Sequence, residues 1–376
     1  MKYIDEYRDP QRARLLIAEI RSRASQRWVL MEVCGGQTHS LLRHGIAEEL
    51  RNDIELIHGP GCPVCVTPAA AIDLAQSIAM QPKTTLVSFG DMVRVPGTQS
   101  SLLEIRTRGG STKTVYSPLD AVELARRNRN EHYVFFAVGF ETTAPATALA
   151  VLQADQLGLT NFSILVAHVR VQPAMEAILR SPNNRVQAFL AAGHVCTVAG
   201  FESYSDLSKK MDTPIVVTGF EPLDLLEGIL ACVIQLENGQ YSVENRYARC
   251  AVEAGNIEAQ QVIDRVYEVA DRPWRGLGEI ANGGYILKHK WQRFDAAHRF
   301  AHLQNESTLP IIDLENECQA AEVLSGRLRP TECSAFGKEC TPDLPLGAPM
   351  VSSEGACAAY FRFGPKETVL SQGNQH

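Results

Sequence analysis

The stretch that most constrains the fold runs from Ile54 to Cys65. A largely apolar run, Ile54 to Ile57, stops at His58-Gly59-Pro60-Gly61 and passes directly into Cys62-Pro63-Val64-Cys65. A short apolar run closed by a glycine–proline turn reads as a buried strand. Thr67 and Pro68 then offer an N-cap and a first-turn proline to a helix through Ala69, Ile72, Leu74, Ala75 and Ile78. Both thiols therefore fall between the C-terminal end of a strand and the start of a helix. In a parallel α/β sheet that crevice is where ligand chemistry is placed. Backbone N–H groups and the positive helix end favour a thiolate there.

The same layout recurs along the chain. Arg27 to Val33 is an expected strand ending in Cys34-Gly35-Gly36-Gln37-Thr38-His39-Ser40, with Thr38 or Ser40 to cap a helix through Leu41, Leu42 and Ile46. If these two strands are parallel neighbours, Cys34, Cys62 and Cys65 share one rim. Strand Thr84 to Phe89 ends in Gly90-Asp91-Met92-Val93-Arg94, and a strand at Val115-Tyr116 precedes a Ser117-capped helix to Arg127. Tyr133 to Val138 ends in Gly139-Phe140-Glu141, Phe162 to Ala167 in His168, Ala188 to Ala192 in Gly193-His194, and Pro214 to Thr218 in Gly219-Phe220-Glu221. Asp224 is expected to cap the helix that follows. A helix from Asn256 to Ala270 precedes Trp274-Arg275-Gly276-Leu277-Gly278, after which glycine and proline become frequent. The expected organisation is α/β: one domain over 27–130, a second over 131–240, and a loop-rich third over 241–376 grouped with an amphipathic basic helix in 1–26. A loop-rich domain often needs a metal centre to hold it together.

The net charge of −7 and pI near 5.8 argue against nucleic acid or an anionic membrane as main partner. The apolar stretches are too short to span a membrane, and the N-terminus lacks the apolar core of a signal peptide. A cytoplasmic location is expected. Ten cysteines then need an explanation, because structural disulfides are rare there. Cys232 lies in an apolar helix and reads as core, while Cys196 and Cys250 stand alone. The others form an N-terminal group (Cys34, Cys62, Cys65) and a C-terminal group (Cys318, Cys333, Cys340, Cys357). Taken alone, Cys62-x-x-Cys65 fits half a zinc site or a redox disulfide. Cys34 is what a two-cysteine redox motif leaves unexplained, and a third thiol on one rim points to a soft metal. The C-terminal four, at intervals of 15, 7 and 17 residues, suit either a four-cysteine zinc site or an iron–sulfur cluster. Zinc sites usually pair ligands about two to four residues apart and these are wider; spacing alone does not decide, and the reading leans to [4Fe–4S] over zinc, with four unconnected buried thiols the remaining alternative. His39, His58 and His194 sit beside or near glycine at strand ends, where a structural hydrogen bond competes with a ligand role. Glu141, Glu221 and Asp91 are carboxylates at the same kind of position, able to hold a proton or cap a helix. Arg94 can bind an anion or pair with Asp91.

With these residues in hand, the chain resembles the HypD family of hydrogenase maturation factors, nearly end to end. The resemblance is carried by Met31-Glu32-Val33-Cys34-Gly35-Gly36, His58 to Cys65, Phe89-Gly90-Asp91 with Arg94-Val95-Pro96-Gly97, Gly139 to Thr143, Gly219 to Leu225, Trp274 to Gly278 and Met350 to Ala359. Gln37 replaces a histidine found in some members, so no ligand role passes to that position; His39 is kept. The resemblance implies two Rossmann-like parallel-sheet domains facing a cleft, and a third domain whose [4Fe–4S] cluster is held by Cys318, Cys333, Cys340 and Cys357. It implies that Cys34, Cys62 and Cys65 are the essential cleft cysteines and the iron ligands. His39, Asp91, Arg94, Glu141, His194 and Glu221 are the further site candidates. It also implies a scaffold, working with HypC, on which iron is built into Fe(CN)2CO. Cyanide would come from HypE with HypF, and the product would pass through HypC to the large subunit of [NiFe]-hydrogenase. The rival reading is an iron–sulfur-dependent thiol/disulfide oxidoreductase acting through Cys62 and Cys65. The two readings can coexist in an assembly scaffold that also carries out redox chemistry.

Overall fold

The computed structural model describes residues 5–304 and 318–364; residues 1–4, 305–317 and 365–376 of the expected domains lie outside them. Two all-parallel sheets form the body. The first is five-stranded: β1 (Trp28–Glu32), β2 (Ile54–His58), β7 (Ala188–Ala192), β8 (Ile215–Thr218) and β9 (Val243–Asn245), in the order β2-β1-β7-β8-β9. The second is four-stranded: β3 (Thr84–Ser88), β4 (Thr112–Thr114), β5 (His132–Gly139) and β6 (Phe162–His168), in the order β4-β3-β5-β6. A hairpin of β10 (Tyr267–Trp274) and β11 (Gly278–Leu287) follows. Strands β2, β3, β6, β7 and β8 are buried at every residue. That is what their continuous apolar runs require of a parallel sheet covered on both faces.

The sheets do not follow a boundary near residue 131. β3 and β4 leave the first sheet and pair with β5 and β6, while β7 to β9 return to flank β1. Each sheet thus has a point where consecutive connections run in opposite directions, between β1 and β7 in the first and between β3 and β5 in the second. Side chains from both sheets, among them Met31, Ile57, Leu86, Val134, Phe189 and Val217, enter one continuous core between them. The basic helix, Pro10–Arg23, packs on helix Pro222–Glu237 and covers the outer face of the first sheet through Ile20.

Several local expectations shift by a few residues, each for a visible reason. The helix expected to run to Ala270 spans Ile257–Val266, because Tyr267 onward is claimed by pairing with β11. The strand expected at Val115-Tyr116 is Thr112–Thr114 on the sheet edge, leaving Tyr116 97% exposed. Helix Gly35–Arg43 starts directly after Cys34, so Thr38 and Ser40 are inside it. The Ser40 hydroxyl donates to the Phe220 carbonyl at 2.6 Å, and that of Thr38 to the Glu32 carboxylate. Thr67 does not cap helix Ala69–Ala79; its hydroxyl donates back to the Pro63 carbonyl at 2.8 Å.

Candidate functional site

The loops after β1 and β2 interlock through backbone. The Gly59 N–H donates to the Glu32 carbonyl (2.8 Å), and the Gly35 N–H donates to the Gly61 carbonyl (3.1 Å). A Cβ on Gly61 would lie 2.2 Å from the Cys34 nitrogen, so only glycine lets the second loop pass against Cys34. The parallel pairing of β1 with β2 thus sets the loop of Cys34 against the loop leading to Cys62 and Cys65, and all three cysteines are buried. Cys62 caps the single helical turn Pro63–Val66, its sulfur accepting from the Cys65 N–H at 3.2 Å. The two are joined by a disulfide.

Cys34 is a free thiol, 2% exposed, with its Sγ 3.5 Å from Nε2 of His194. β1 and β7 flank the reversal point of the first sheet, so this contact stands where an open α/β sheet places its ligands. Burial, reinforced by the Glu32 carboxylate, pushes the Cys34 thiol well up; the N–H groups of Gln37 and Gly36 oppose the shift without reversing it. The helix start therefore does not by itself make Cys34 a thiolate, because desolvation outweighs the N–H donors. His194 stacks on Phe220 (centroids 5.1 Å, planes 18°), and burial lowers its pKa, so thiol and imidazole meet as neutral groups.

A buried polar chain missed at the level of motifs supports this rim. Glu32 accepts from the Cys34 N–H (2.8 Å) and the Thr38 hydroxyl, and pairs with His58 Nδ1 (2.6 Å). His58 Nε2 stands 3.0 Å from the Tyr360 hydroxyl. His58 is thus an internal hydrogen-bonder, tying the end of β2 to the C-terminal helix Ala356–Phe363. The available signal was Glu32 itself, a carboxylate closing an otherwise apolar strand; nothing local marks Tyr360.

The remaining candidates separate. His39 meets Phe363 edge-on (4.7 Å), and its pKa is lowered by burial and by Arg43 and Arg362. Glu141 caps helix Val171–Leu179 by accepting from the Val171 N–H (3.0 Å). Its Oε2 is buried with no hydrogen-bond partner among the described residues, and burial raises its pKa. Glu221, in the same Gly-Phe-Glu context, instead pairs with Arg8, which lowers its pKa. Asp224 accepts from the Glu221 N–H (3.2 Å), as a capping residue should, and also pairs with Arg249. Asp91 and Arg94 do not pair with each other: Asp91 accepts from the Ser352 hydroxyl and Arg94 donates to the Val351 carbonyl, both at 3.1 Å.

Cys318, Cys333, Cys340 and Cys357 line one small cavity, with Gln319 and otherwise apolar residues such as Val323, Phe336, Leu346 and Met350. A Cβ on Gly347 would lie 2.2 Å from the Cys318 sulfur, so glycine makes room for that thiol. The Leu346 N–H donates to the Cys340 sulfur at 3.4 Å. Burial, then the neighbouring thiols, push Cys357 up. Among the described residues, no three His, Cys, Asp or Glu side chains converge as ligands of a single metal ion would. Four thiols lining one cavity are a donor set of the kind that soft metals take. Segment Ala348–Val351, which contributes Pro349 and Met350 to this cavity, packs on the turn holding Cys65, and helix Ala356–Phe363 packs on helix Gly35–Arg43. No helix among the described residues is long and apolar enough to cross a membrane.

The model of the HypD family, described as "Hydrogenase formation hypA family", matches residues 11–364. The chain is 44% identical to hydrogenase maturation factor HypD of Rhodobacter capsulatus, over 97% of this chain and 98% of that protein. It is 43% identical to hydrogenase maturation factor HypD of Escherichia coli (strain K12), over 98% of this chain and all of that protein. It is 43% identical to hydrogenase expression/formation protein HupD of Azotobacter chroococcum mcd 1, over 97% of both chains.

Proposed function

The chain belongs to the HypD family of hydrogenase maturation factors, and from that premise we propose that it is a cytoplasmic scaffold, working with HypC, on which iron acquires cyanide and carbon monoxide as Fe(CN)2CO. The observation that carries this reading is the meeting of Cys34 with His194 at the reversal point of the first sheet, with the Gly61 turn that leads to Cys62 and Cys65 packed on the Cys34 backbone. Iron is the cargo. Cys34 and the reduced Cys62–Cys65 pair offer it soft donors. A bound cation offsets the desolvation that keeps Cys34 protonated, and Nε2 of His194 is placed to take the proton as the sulfur binds. HypE with HypF would deliver cyanide, and the finished group would pass through HypC to the hydrogenase large subunit.

A [4Fe–4S] cluster held by Cys318, Cys333, Cys340 and Cys357 would supply one-electron transfer. The Cys62–Cys65 disulfide, on the turn Pro63–Val66 that packs on the segment lining the four-cysteine cavity, favours a redox role for that pair alongside assembly. Opening it takes two electrons and two protons from an external reductant. Infrared spectroscopy of the anaerobically purified complex with HypC tests the scaffold reading: bands in the CO and CN stretching region are expected. Their absence from a reduced, maturation-competent preparation would leave only the oxidoreductase.

A further inference from the structure

The Cys34 thiol is sealed in the fold, although a loading site must open. His194, backed by Phe220, covers one side. The stretch Ser352–Gly355 lies against Gly35, the residue after Cys34, with the Glu354 carboxylate near enough to act on the thiol. The Glu354 carbonyl lies so close that a Cβ on Gly35 would stand 2.1 Å from its oxygen. Besides the packing of its flanks on the turn holding Cys65 and on helix Gly35–Arg43, three single hydrogen bonds tie this segment to the loops of the sheets. The Ser352 hydroxyl donates to Asp91 Oδ2 and Arg94 Nη2 donates to the Val351 carbonyl, both from the loop after β3. Tyr360, one helical turn past Cys357, bonds His58 at the end of β2.

We propose that Ser352–Gly355 is a strap over Cys34 and that Asp91 and Arg94 are the positioning residues that latch it. Asp91 Oδ2 and Arg94 Nη2 are engaged by the strap and its neighbour Val351, which gives a role to two charged residues at a strand end. The flanks of the strap are packed and Ser352 is buried, whereas Ser353 and Glu354 are exposed, so each latch, one hydrogen bond, bears on a short stretch that can open without unfolding its flanks. The strap is continuous with Pro349 and Met350, which line the four-cysteine cavity. Whatever occupies that cavity therefore bears on access to Cys34. The purpose of the latch rests on the reading of Cys34 as the loading thiol, but its existence does not.

The test is the rate at which iodoacetamide alkylates Cys34 in the anaerobic full-length chain, read by peptide mass spectrometry. Ser352→Ala and Arg94→Ala are each expected to raise that rate by roughly tenfold, the effect of losing one hydrogen bond to a charged or backbone partner. Asp91→Asn keeps an acceptor oxygen for the Ser352 hydroxyl and should stay within about twofold of the parent. Cys196 and Cys232, buried elsewhere, should remain unreactive throughout. If Arg94→Ala also exposes Cys232, that variant is unfolding, and Ser352→Ala, which removes only a hydroxyl, decides the test. Rates for Ser352→Ala within about twofold of the parent would overturn the latch. So would an Asp91→Asn rate as high as that of Ser352→Ala, since charge and not the hydroxyl bond would then hold the segment. Missing CO and CN bands would sink the scaffold reading and leave these rates untouched; unchanged rates would sink the latch and leave the bands untouched.

Discussion

Gly61→Ala probes the contact on which the rim depends. The added methyl would lie 2.2 Å from the Cys34 nitrogen, 2.4 Å from its Cα and 2.5 Å from the Val33 carbonyl carbon. All three are backbone atoms and cannot rotate away. Ordinary contact needs about 3.5–4.0 Å, so the two loops must part by more than ~1 Å. Overpacking of this kind costs about 1–3 kcal/mol. The Gly35 N–H to Gly61 carbonyl bond, 3.1 Å in the parent, is stretched as well and adds about 1 kcal/mol. The sum, about 2–4 kcal/mol, should appear as a lower urea midpoint at unchanged m. Gly45→Ala is the control. Gly45 has φ +69° and nothing within 4 Å of a built Cβ, so it carries only the left-handed backbone penalty, about 1–2 kcal/mol. Displacing Cys34 from Cys62 should also remove the CO and CN bands of the HypC complex in Gly61→Ala but not in Gly45→Ala. A Gly61→Ala protein no less stable than Gly45→Ala, with its bands intact, would refute the interlocked-loop account of the rim.

Three further outcomes are expected. Cys34→Ser, nearly isosteric but a poor ligand for soft iron, should leave fold and thermal stability close to the parent while abolishing the infrared bands; full bands in that variant would place the iron elsewhere. Cys333→Ala should lose iron and sulfide from the C-terminal cavity and lower stability there, as metal analysis and calorimetry would record; full iron and sulfide would remove Cys333 from the ligand set. His168, buried against Thr147, has its pKa lowered to about 4 by desolvation. Its contribution to stability is complete above its unfolded pKa near 6.5 and is lost as pH falls from there towards 4, by about 3 kcal/mol in all. His168→Gln should flatten that part of the stability–pH curve by about one proton, and an unchanged slope would contradict it.

The strand–glycine–helix units were legible because their signals are local: apolar runs of strand length, glycine turns, and capping residues within a few positions. Those signals alone put Cys34, Cys62, Cys65, His194, Glu141 and Glu221 at strand ends, and the x-x spacing alone permitted the Cys62–Cys65 disulfide. Sheet membership was not local. Nothing in Ala188–Ala192 says that it lies beside β1, or in Thr84–Ser88 that it leaves the first sheet; packing of both faces decided these pairings. The meeting of Cys34 with His194 across 160 positions follows from that choice. The two Gly-Phe-Glu copies make the same point. Glu141 is buried as a helix cap, whereas Arg8 reaches Glu221 across 213 positions and holds it near the surface. Asp91 and Arg94 looked like site chemistry until the C-terminal segment arrived to take their hydrogen bonds. Turn and capping rules extend over a few residues, so they could say which side chains reach the edge of a sheet. What each side chain meets there was decided by burial and pairing between segments that are neighbours only after folding.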